Sequence, residues 1–330
     1  MTYSSGELIQ ATDYNTFVGN TTAGLNRVWS TGSGDAGWGQ TDIATVSTGG
    51  SVTATQWASL VNNLATSGTQ TNTTLTSRSA PTAGTTIGIL ANVATDITSV
   101  TTNRNNATAV GTEYGVFTGT TSKTTGTGSG QAAWTITFTH TITFPSADQA
   151  RYFWNAGGRV RLQYGKSSTG TDVDPDWNTL AGWCGSIYIT GAATSKTIAG
   201  TSYTGTTRIG GTGGTQTTLS TATGYYALTP TPVTIFQLNN STAPYTGEYI
   251  RTTAAAGSAT DLTLVTTWVS DGSGGGAGTS SNISGGTGVT SPATSIGAAT
   301  APTTLCTYIP PSTTYLTDSW GTPTIGAAVA

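Results

Sequence analysis

Residues 134–144 read WTITFTHTITF and predict the fold of the larger part of this chain. Threonine occupies every odd position, and the even positions are apolar except for His140, the sole histidine. A period of two places alternate side chains on opposite faces of a β-strand. The segment therefore predicts a strand with one face in an apolar core and the other face against water or another copy of the chain.

The chain of 330 residues carries few ionic groups. Lys plus Arg is 11, Asp plus Glu is 14, the net charge is -3, and charged residues make up 8%, against about 25% in an ordinary domain. Threonine, about a quarter of the chain, suits extended backbone and satisfies polar groups without charge. Because soluble monomers normally keep a charged surface, this composition favours an assembled structural protein over a metabolic enzyme. It also offers no basic patch for nucleic acid.

The N-terminal residues MTYSSGELIQ have neither the basic region nor the apolar run of a secretory signal. No window holds the ~18 consecutive apolar residues of a membrane-spanning helix, so we expect no membrane insertion. The two cysteines, Cys184 and Cys306, could form a disulfide if the fold brought them together. Burial as reduced thiols is the favoured alternative.

The first third of the chain, about residues 1–112, has the apolar spacing of helices. Residues 11–29 predict one helix, because apolar side chains recur at steps of three, four and seven. A second helix begins near Thr53, which has capping-box spacing with Gln56. A third is predicted over about 87–105, where the apolar seam fits either an ordinary amphipathic helix or a seam around a trimer axis.

Residues 113–330 have the texture of short strands between turns, with a short helix predicted after Ser146, whose capping-box partner is Gln149. Strands are predicted at 134–144, 159–164, 185–190, 217–228, 233–238, 245–253 and 261–269. Residues 167–178 and the glycine-rich run 271–302 are predicted loops, and we expect neighbouring subunits or domains to hold the second. The predicted fold class is α+β: a helical oligomerisation and attachment region over 1–112, then an antiparallel, jelly-roll-like β-sandwich over 113–330.

A catalytic triad would need His140, because the chain has no other imidazole. Its position in the middle of a strand favours a buried packing residue, hydrogen-bonded to backbone or to a threonine hydroxyl. The alternative is a trimer axis on which three copies of His140 bind an ion or anion.

Three alternating aspartates, Asp172, Asp174 and Asp176, could hold Ca²⁺. An EF-hand loop starting at Asp172 would need glycine and glutamate where this chain has Trp177 and Trp183. A polar turn whose aspartates cap the following segment is therefore the favoured interpretation, and we predict no metal site.

No other pattern predicts chemistry. The glycine cluster at 210–214 does not open a helix with Lys-Ser/Thr, so it predicts no phosphate site. The acids of the β part show no telling pair spacing for glycoside cleavage; they are Asp148, Asp172, Asp174, Asp176, Glu248, Asp261 and Asp271. We therefore predict no catalytic, cofactor-binding or metal residue and no enzyme. Five aromatic residues in loop-like contexts are predicted core or interface anchors, with one or two as glycan platforms in the alternative; they are Trp38, Trp177, Trp183, Tyr203 and Trp320.

Four segments resemble virion structural proteins of tailed bacteriophages that infect cyanobacteria and other aquatic bacteria. They are ATDYNTFVGNTTAGLNRVW (11–29), GWGQ (37–40), TATQWASLVNNL (53–64) and FPSADQARYFWNAGGRVRLQYG (144–165). The last is the most specific, because the family has Ala-Arg-Tyr-Phe-Phe-Asn-x-Gly-Gly before a basic and apolar strand. Here Trp154 stands in place of the second phenylalanine. The resemblance covers about half of the chain.

The resemblance implies a virion component, such as a tail fibre, a baseplate protein or a neck appendage. Such proteins are commonly homotrimers or ring components with an attached N-terminal part and a β-rich distal part. We therefore expect a homotrimer that contacts other virion proteins, assembles in the host cytoplasm and binds no cofactor. A host surface glycan is a further expected partner if the distal part is exposed. The alternatives are a glycan-binding adhesin and, less favoured, a capsule depolymerase.

Overall fold

The structure is a computed structural model that describes residues 10–84, 92–117, 134–166, 173–243, 245–271 and 302–330. Its helices are α1 (Ala11–Val18), α2 (Asn26–Trp29), α3 (Ala54–Gln70), α4 (Val93–Thr102), α5 (Ala147–Asn155) and α6 (Val173–Cys184). Its first strands are β1 (Tyr114–Phe117), β2 (Trp134–Thr143), β3 (Arg159–Gly165), β4 (Ser186–Ile189), β5 (Lys196–Ile198), β6 (Thr201–Tyr203) and β7 (Thr206–Ile209). The others are β8 (Thr215–Leu219), β9 (Val233–Asn239), β10 (Tyr249–Ala255), β11 (Asp261–Ser270), β12 (Thr303–Ile309) and β13 (Thr324–Val329).

The strands form two large antiparallel sheets. One has the order β1-β12-β3-β4-β7, the other has the order β13-β2-β11-β10-β9-β8, and β5 pairs with β6. Two contacts join the sheets across the core: Trp268 Nε1 donates to Thr304 Oγ1 at 3.3 Å, and the Tyr164 hydroxyl lies 2.9 Å from Thr252 Oγ1. The prediction of an α+β fold, with helices first and an antiparallel sandwich after them, is confirmed.

Strand β2 has the predicted alternation. Its even residues Ile136, Phe138, His140 and Ile142 are buried, while its threonines are half-buried or exposed. The strand lies inside the six-stranded sheet between β11 and β13. The inward row therefore packs in the core, and the threonine row occupies the outer face.

Threonine also serves inside the core. Thr252 and Thr266 lie opposite each other on β10 and β11 and are fully buried, with their hydroxyl oxygens 2.9 Å apart. The phenol of Tyr164 joins this pair from the opposite sheet. Burial raises the pKa of Tyr164, so its hydroxyl stays neutral and able to donate. Hydrogen bonds among neutral groups thus satisfy polar atoms in the core without ions.

The N-terminal helices match their capping signals but differ in their bounds. In the predicted capping box, Gln56 N donates to Thr53 Oγ1 and Thr53 N donates to Gln56 Oε1. The single helix predicted over 11–29 is wrong, because Gly19 and Gly24 have φ of 68° and 66° and break it into α1 and α2. A Cβ on Gly24 would lie 2.5 Å from Gly19 Cα, so the chain crosses itself closely there.

The third predicted helix is confirmed over α4, while residues 85–91 lie outside the described part of the chain. Val93, Ile97 and Val100 are buried, and α4 contacts α1, α2 and α3. These three residues therefore pack within one chain, as in an ordinary amphipathic helix, and form no seam for a trimer axis.

Two other predictions in the β region are wrong. Residues 217–228 are not one strand, because β8 ends at Leu219 and a 3-10 helix, Tyr225–Ala227, follows and carries Tyr225 into the core. Residues 173–178, predicted as loop, begin α6. The predicted strand at 245–253 starts late, because a turn occupies 245–248 before β10. Of the predicted loop 271–302, residues 272–301 lie outside the described part.

Helix α5 joins the helical region to the sandwich. Arg151 donates to the carbonyl of Thr31 at 2.9 Å, and Asn155 Nδ2 donates to the carbonyl of Gly37 at 3.2 Å. One cluster of buried apolar residues extends from Ala11 through both sheets to Trp320. The two regions therefore share a core, and the division at residues 112 and 113 stays a prediction.

The centre of this shared core is aromatic. Trp154 stacks on Tyr225 with ring centroids 5.0 Å apart and meets Phe144 and Phe153 at 5.6 and 4.9 Å. Gly191 lies against it, since a Cβ there would sit 2.8 Å from Trp154 Cβ. Trp154 is thus fully buried at the centre of the cluster.

We predict that Gly191→Ala lowers the free energy of unfolding by about 1–3 kcal/mol, because the new methyl group would lie 2.8 Å from Cβ of the fully buried Trp154 and 3.0 Å from the ring of Tyr226. Gly257→Ala is the matched control, since its Cβ would meet nothing within 4 Å and its φ is not positive. Urea unfolding of both variants checks the prediction. Equal stability of the two would contradict the tight packing around Trp154.

Candidate functional site

The sole histidine lies in the core of the sandwich. His140 is 0% exposed and sits opposite Leu264 on one side and Ala327 on the other. Burial lowers its pKa to about 4, and the nearby backbone of Thr304 offsets a little of this shift. Neither ring nitrogen makes a hydrogen bond of normal geometry to a described residue.

The prediction of a buried packing histidine is therefore confirmed. The backbone of Thr304 lies close enough to raise the pKa of His140, as the expected hydrogen bond to backbone would, although neither ring nitrogen meets a partner in normal hydrogen-bond geometry. On the neighbouring strands the ring lies opposite two apolar residues, Leu264 and Ala327. Because the ring does not reach the surface, it does not meet its own copies on a trimer axis.

The aspartate run leads into a helix and not into a polar turn. Asp176 lies in the first turns of α6, where a negative charge interacts favourably with the helix dipole and stabilises the helix. Asp172 and the side chain of Asp174 lie outside the described residues. The buried row of α6 follows at Trp177, Leu180, Ala181 and Cys184, at helical spacing.

Asp176 and Glu248 form an acid pair at one end of the sandwich. Glu248, in the turn before β10, is 0% exposed and is hydrogen-bonded to Asp176. The Asn240 side chain donates to Asp176 Oδ2. Ser270 Oγ donates to Glu248 Oε1 at 3.4 Å. Helix α6, the β9–β10 connection and the end of β11 thus meet at two carboxyl groups.

The acid pair holds a proton on Glu248. Burial raises the pKa of Glu248 to about 9, and the charges of Asp176 and Asp271 add to the shift. The hydrogen bond between the two carboxyl groups raises the pKa of Glu248 further. It lowers the pKa of Asp176, although burial of Asp176 has the larger effect and raises it. Glu248 is therefore the donor and Asp176 the acceptor. Glu248 Oε2 is buried and receives no hydrogen bond from a described residue, which suits a protonated Glu248.

Both cysteines are buried free thiols. Burial raises the pKa of Cys306 to about 12 and raises that of Cys184 further. Neither thiol is ionised near neutral pH, so both behave as small apolar residues. Cys184 and Cys306 therefore form no disulfide with each other.

The aromatic residues from loop-like contexts mostly serve the core. Trp38, Trp177, Trp320 and Tyr203 are buried, as predicted, and Trp183 is half-buried. A glycan platform would need an exposed ring face, so these four are excluded from that role.

The sandwich is open along its β1 edge. Tyr114 lies opposite Tyr308 and Val116 lies opposite Cys306, and paired residues share a face of a sheet. Because Cys306 is buried in the core, both β1 residues belong to the core-facing side. Yet Tyr114 is 52% exposed and Val116 is 37% exposed.

Strand β13, which contacts β1, continues this surface on the other sheet. Ala327 lies opposite buried His140, but its own side chain is exposed. Ala330 and Thr137 exchange both backbone hydrogen bonds, so by antiparallel alternation residues 325, 327 and 329 direct their N–H and C=O groups away from β2. No described strand pairs with that edge. We call Tyr114, Val116 and Ala327, with the β13 edge, the open side.

A second concave feature lies in the helical region. A groove of about 450 Å³ runs between α3 and residues 72–78. Arg78 is the one charged side chain among its described lining residues, and it is paired with Asp96 at 2.5 Å.

Asp176 and Glu248 were both noted as acidic residues in the sequence, but their contact was not predicted. Their contact depends on the turn at 245–248 and on α6, neither of which was predicted there. The open side was missed as well, because it depends on the registers of β1 and β13. A signal for α6 was present in the spacing of Trp177, Leu180 and Cys184.

We predict that His140→Leu flattens the pH dependence of stability below pH 6.5. The folded pKa of His140 is lowered from 6.5 to about 4, so its contribution is complete above 6.5 and is lost as pH falls toward 4, by about 3 kcal/mol in total. Urea unfolding at several pH values checks this, with Thr139→Ala on the outer face of β2 as control. An unchanged acid slope in His140→Leu would contradict it.

No described helix combines the length and the apolar composition that crossing a bilayer requires. Among the described residues, no group of three or more His, Cys, Asp and Glu side chains is arranged to hold a metal ion. Comparisons with protein-family models, with curated proteins and with solved structures found no match for this chain.

Proposed function

We propose that this chain is a structural component of a tailed-phage virion, a tail fibre or tail-associated appendage that assembles as a homo-oligomer. The observation that supports this proposal most directly is the open side. Tyr114, Val116 and Ala327 carry core-facing apolar surface that the chain's described residues leave exposed. Exposed apolar surface that continues across neighbouring strands is typical of an interaction site.

The chemistry of the open side suits a neighbouring subunit. Its three side chains are uncharged, and the Arg161–Glu113 ion pair, at 2.8 Å, lies next to Tyr114 at the rim. An apolar centre with a polar rim is the usual anatomy of a protein interface. The low charge of the whole chain, 8% of residues, agrees with an exterior largely covered by other subunits.

Assembly would proceed through two physical contributions. The free N–H and C=O groups of the β13 edge would receive backbone hydrogen bonds from an added strand. The exposed apolar area would leave water at about 25 cal/mol per Å². A stable contact needs roughly 1,000 Å² in total, so the neighbour must cover more than these three side chains. Contacts with other virion proteins would extend it.

A glycan-binding adhesin is the second candidate, and the ring of Tyr114 is the observation that favours it. This ring stacks on Tyr308 with centroids 5.5 Å apart and keeps half of its surface exposed, as a sugar platform does. A glycan array carrying host envelope sugars decides between the two. Binding that is lost in Tyr114→Ala would support the adhesin, and the virion proposal expects no such binding. The depolymerase alternative gains nothing from the acid pair, because glycosidase carboxyls stand about 5–9.5 Å apart and these two are in hydrogen-bond contact.

The virion itself gives the most direct test. Antibodies against this chain should decorate intact particles of the encoding phage at one position along the tail in immunogold electron microscopy. Absence of the chain from purified particles would refute the proposal, whatever its oligomeric state in solution.

We predict that Ala327→Lys weakens self-association at least about tenfold in dissociation constant, because an unpaired ammonium group would have to be buried at the open side. Val233→Lys, also at an exposed apolar position on a strand but away from the open side, is the matched control and should associate like the unmodified chain. Sedimentation velocity over a concentration series measures both. An unmodified chain that stays monomeric throughout would exclude the open side as a contact between copies.

A further inference from the structure

We infer that the Asp176–Glu248 acid pair is a proton-dependent latch, which fastens the first turns of α6 to the sandwich while it holds one proton and releases them when that proton leaves. This inference does not depend on the proposed function. It rests on the geometry of the carboxyl groups and on what α6 covers.

The latch is built from three separate parts of the chain. Asp176 comes from α6, Glu248 from the turn before β10, and Ser270 from the last position of β11. Asn240, directly after β9, supplies a further donor to Asp176. Asn240 also donates its backbone N–H to the carbonyl of Glu248 at 2.8 Å, so one residue holds both members of the acid pair.

The surrounding charges keep the proton in place. The charged groups that act on Glu248 are Asp176 from α6 and Asp271 after β11, and both are acidic. Tyr245 lies in the same turn as Glu248. Lys166, directly after β3, is buried and is not among the charged groups that shift the pKa of Glu248. Two ionised carboxylates at this buried site would repel each other, so the contact requires the proton.

The latch closes α6 over core aromatic residues. Trp177 follows Asp176 directly and packs on Trp268 with ring centroids 5.7 Å apart. Helix α6 also contacts β3, β9 and β10. Loss of the proton would therefore separate Asp176 from Glu248 and loosen Trp177 on Trp268, which makes tryptophan fluorescence a local reporter.

The direction of the pH dependence follows from the raised pKa. Glu248 shifts from an ordinary 4.5 to about 9 in the folded chain. Its contribution to stability is therefore complete below pH 4.5 and is lost as pH rises toward 9. Release of α6 is therefore expected at alkaline pH. Most carboxylates in proteins have the opposite effect, because they lose their stabilising contacts at acid pH.

Hydrogen exchange of α6 and tryptophan fluorescence of the full chain, followed from about pH 5 to about pH 10, test the latch. The unmodified chain should lose protection in α6 and change fluorescence around pH 9. Glu248→Gln keeps a neutral donor opposite Asp176 and should remove this step. Asp42→Asn, at an exposed acid remote in sequence from the pair, should keep it.

Infrared spectra provide an independent readout. A protonated-carboxyl band at neutral pH that Glu248→Gln removes would support the latch, and its absence from the unmodified chain would overturn it even if the variant fails to fold. No alkaline step in the unmodified chain would also overturn it. So would a calcium-dependent rise in melting temperature that Glu248→Gln abolishes, because the pair would then hold a cation in place of a proton.

Discussion

The packing of Trp154 within the aromatic cluster is the interaction on which the rest of this structure depends. Its ring meets side chains that come before α5 and from the segment after β8, and the same helix binds the backbone of the N-terminal region through Asn155. Removing this ring would leave a cavity where three parts of the chain converge. Helices and sheets consequently share one core, although the chain carries few charges to hold them together.

Neutral hydrogen bonds and two buried, neutral titratable groups lie inside the sandwich. The hydroxyls of Thr252, Thr266 and Tyr164 satisfy one another in the core. His140 and Glu248 are both buried and both neutral at neutral pH, one without and one with its proton. Their effects on stability have opposite directions, because the contribution of His140 is lost as pH falls below 6.5 and that of Glu248 is lost as pH rises toward 9.

Local patterns predicted local structure, and contacts between distant segments escaped prediction. The alternation of β2 and the capping box at Thr53 depend on neighbouring residues, and both were confirmed. The break at Gly19 was missed because helical spacing persists across it, and α6 was missed because its aspartates read as a turn. The acid pair and the open side depend on register and on long-range packing. No pattern within a short window encodes either, so the candidate sites were found in the structure and not in the sequence.

Strand order along the chain also constrains how this protein can be made. Strand β12 lies between β1 and β3, so β1 cannot join its sheet until residues 303–309 have been synthesised. Likewise, Thr317 N donates a hydrogen bond to Gln40 Oε1 at 2.8 Å, and this bond cannot form until Thr317 has been synthesised. Pairings this distant in sequence form slowly. A nascent chain on the ribosome would thus carry an unfinished five-stranded sheet through most of translation, and chaperones that shield exposed strands should matter more for its yield than for that of a helical protein of equal length.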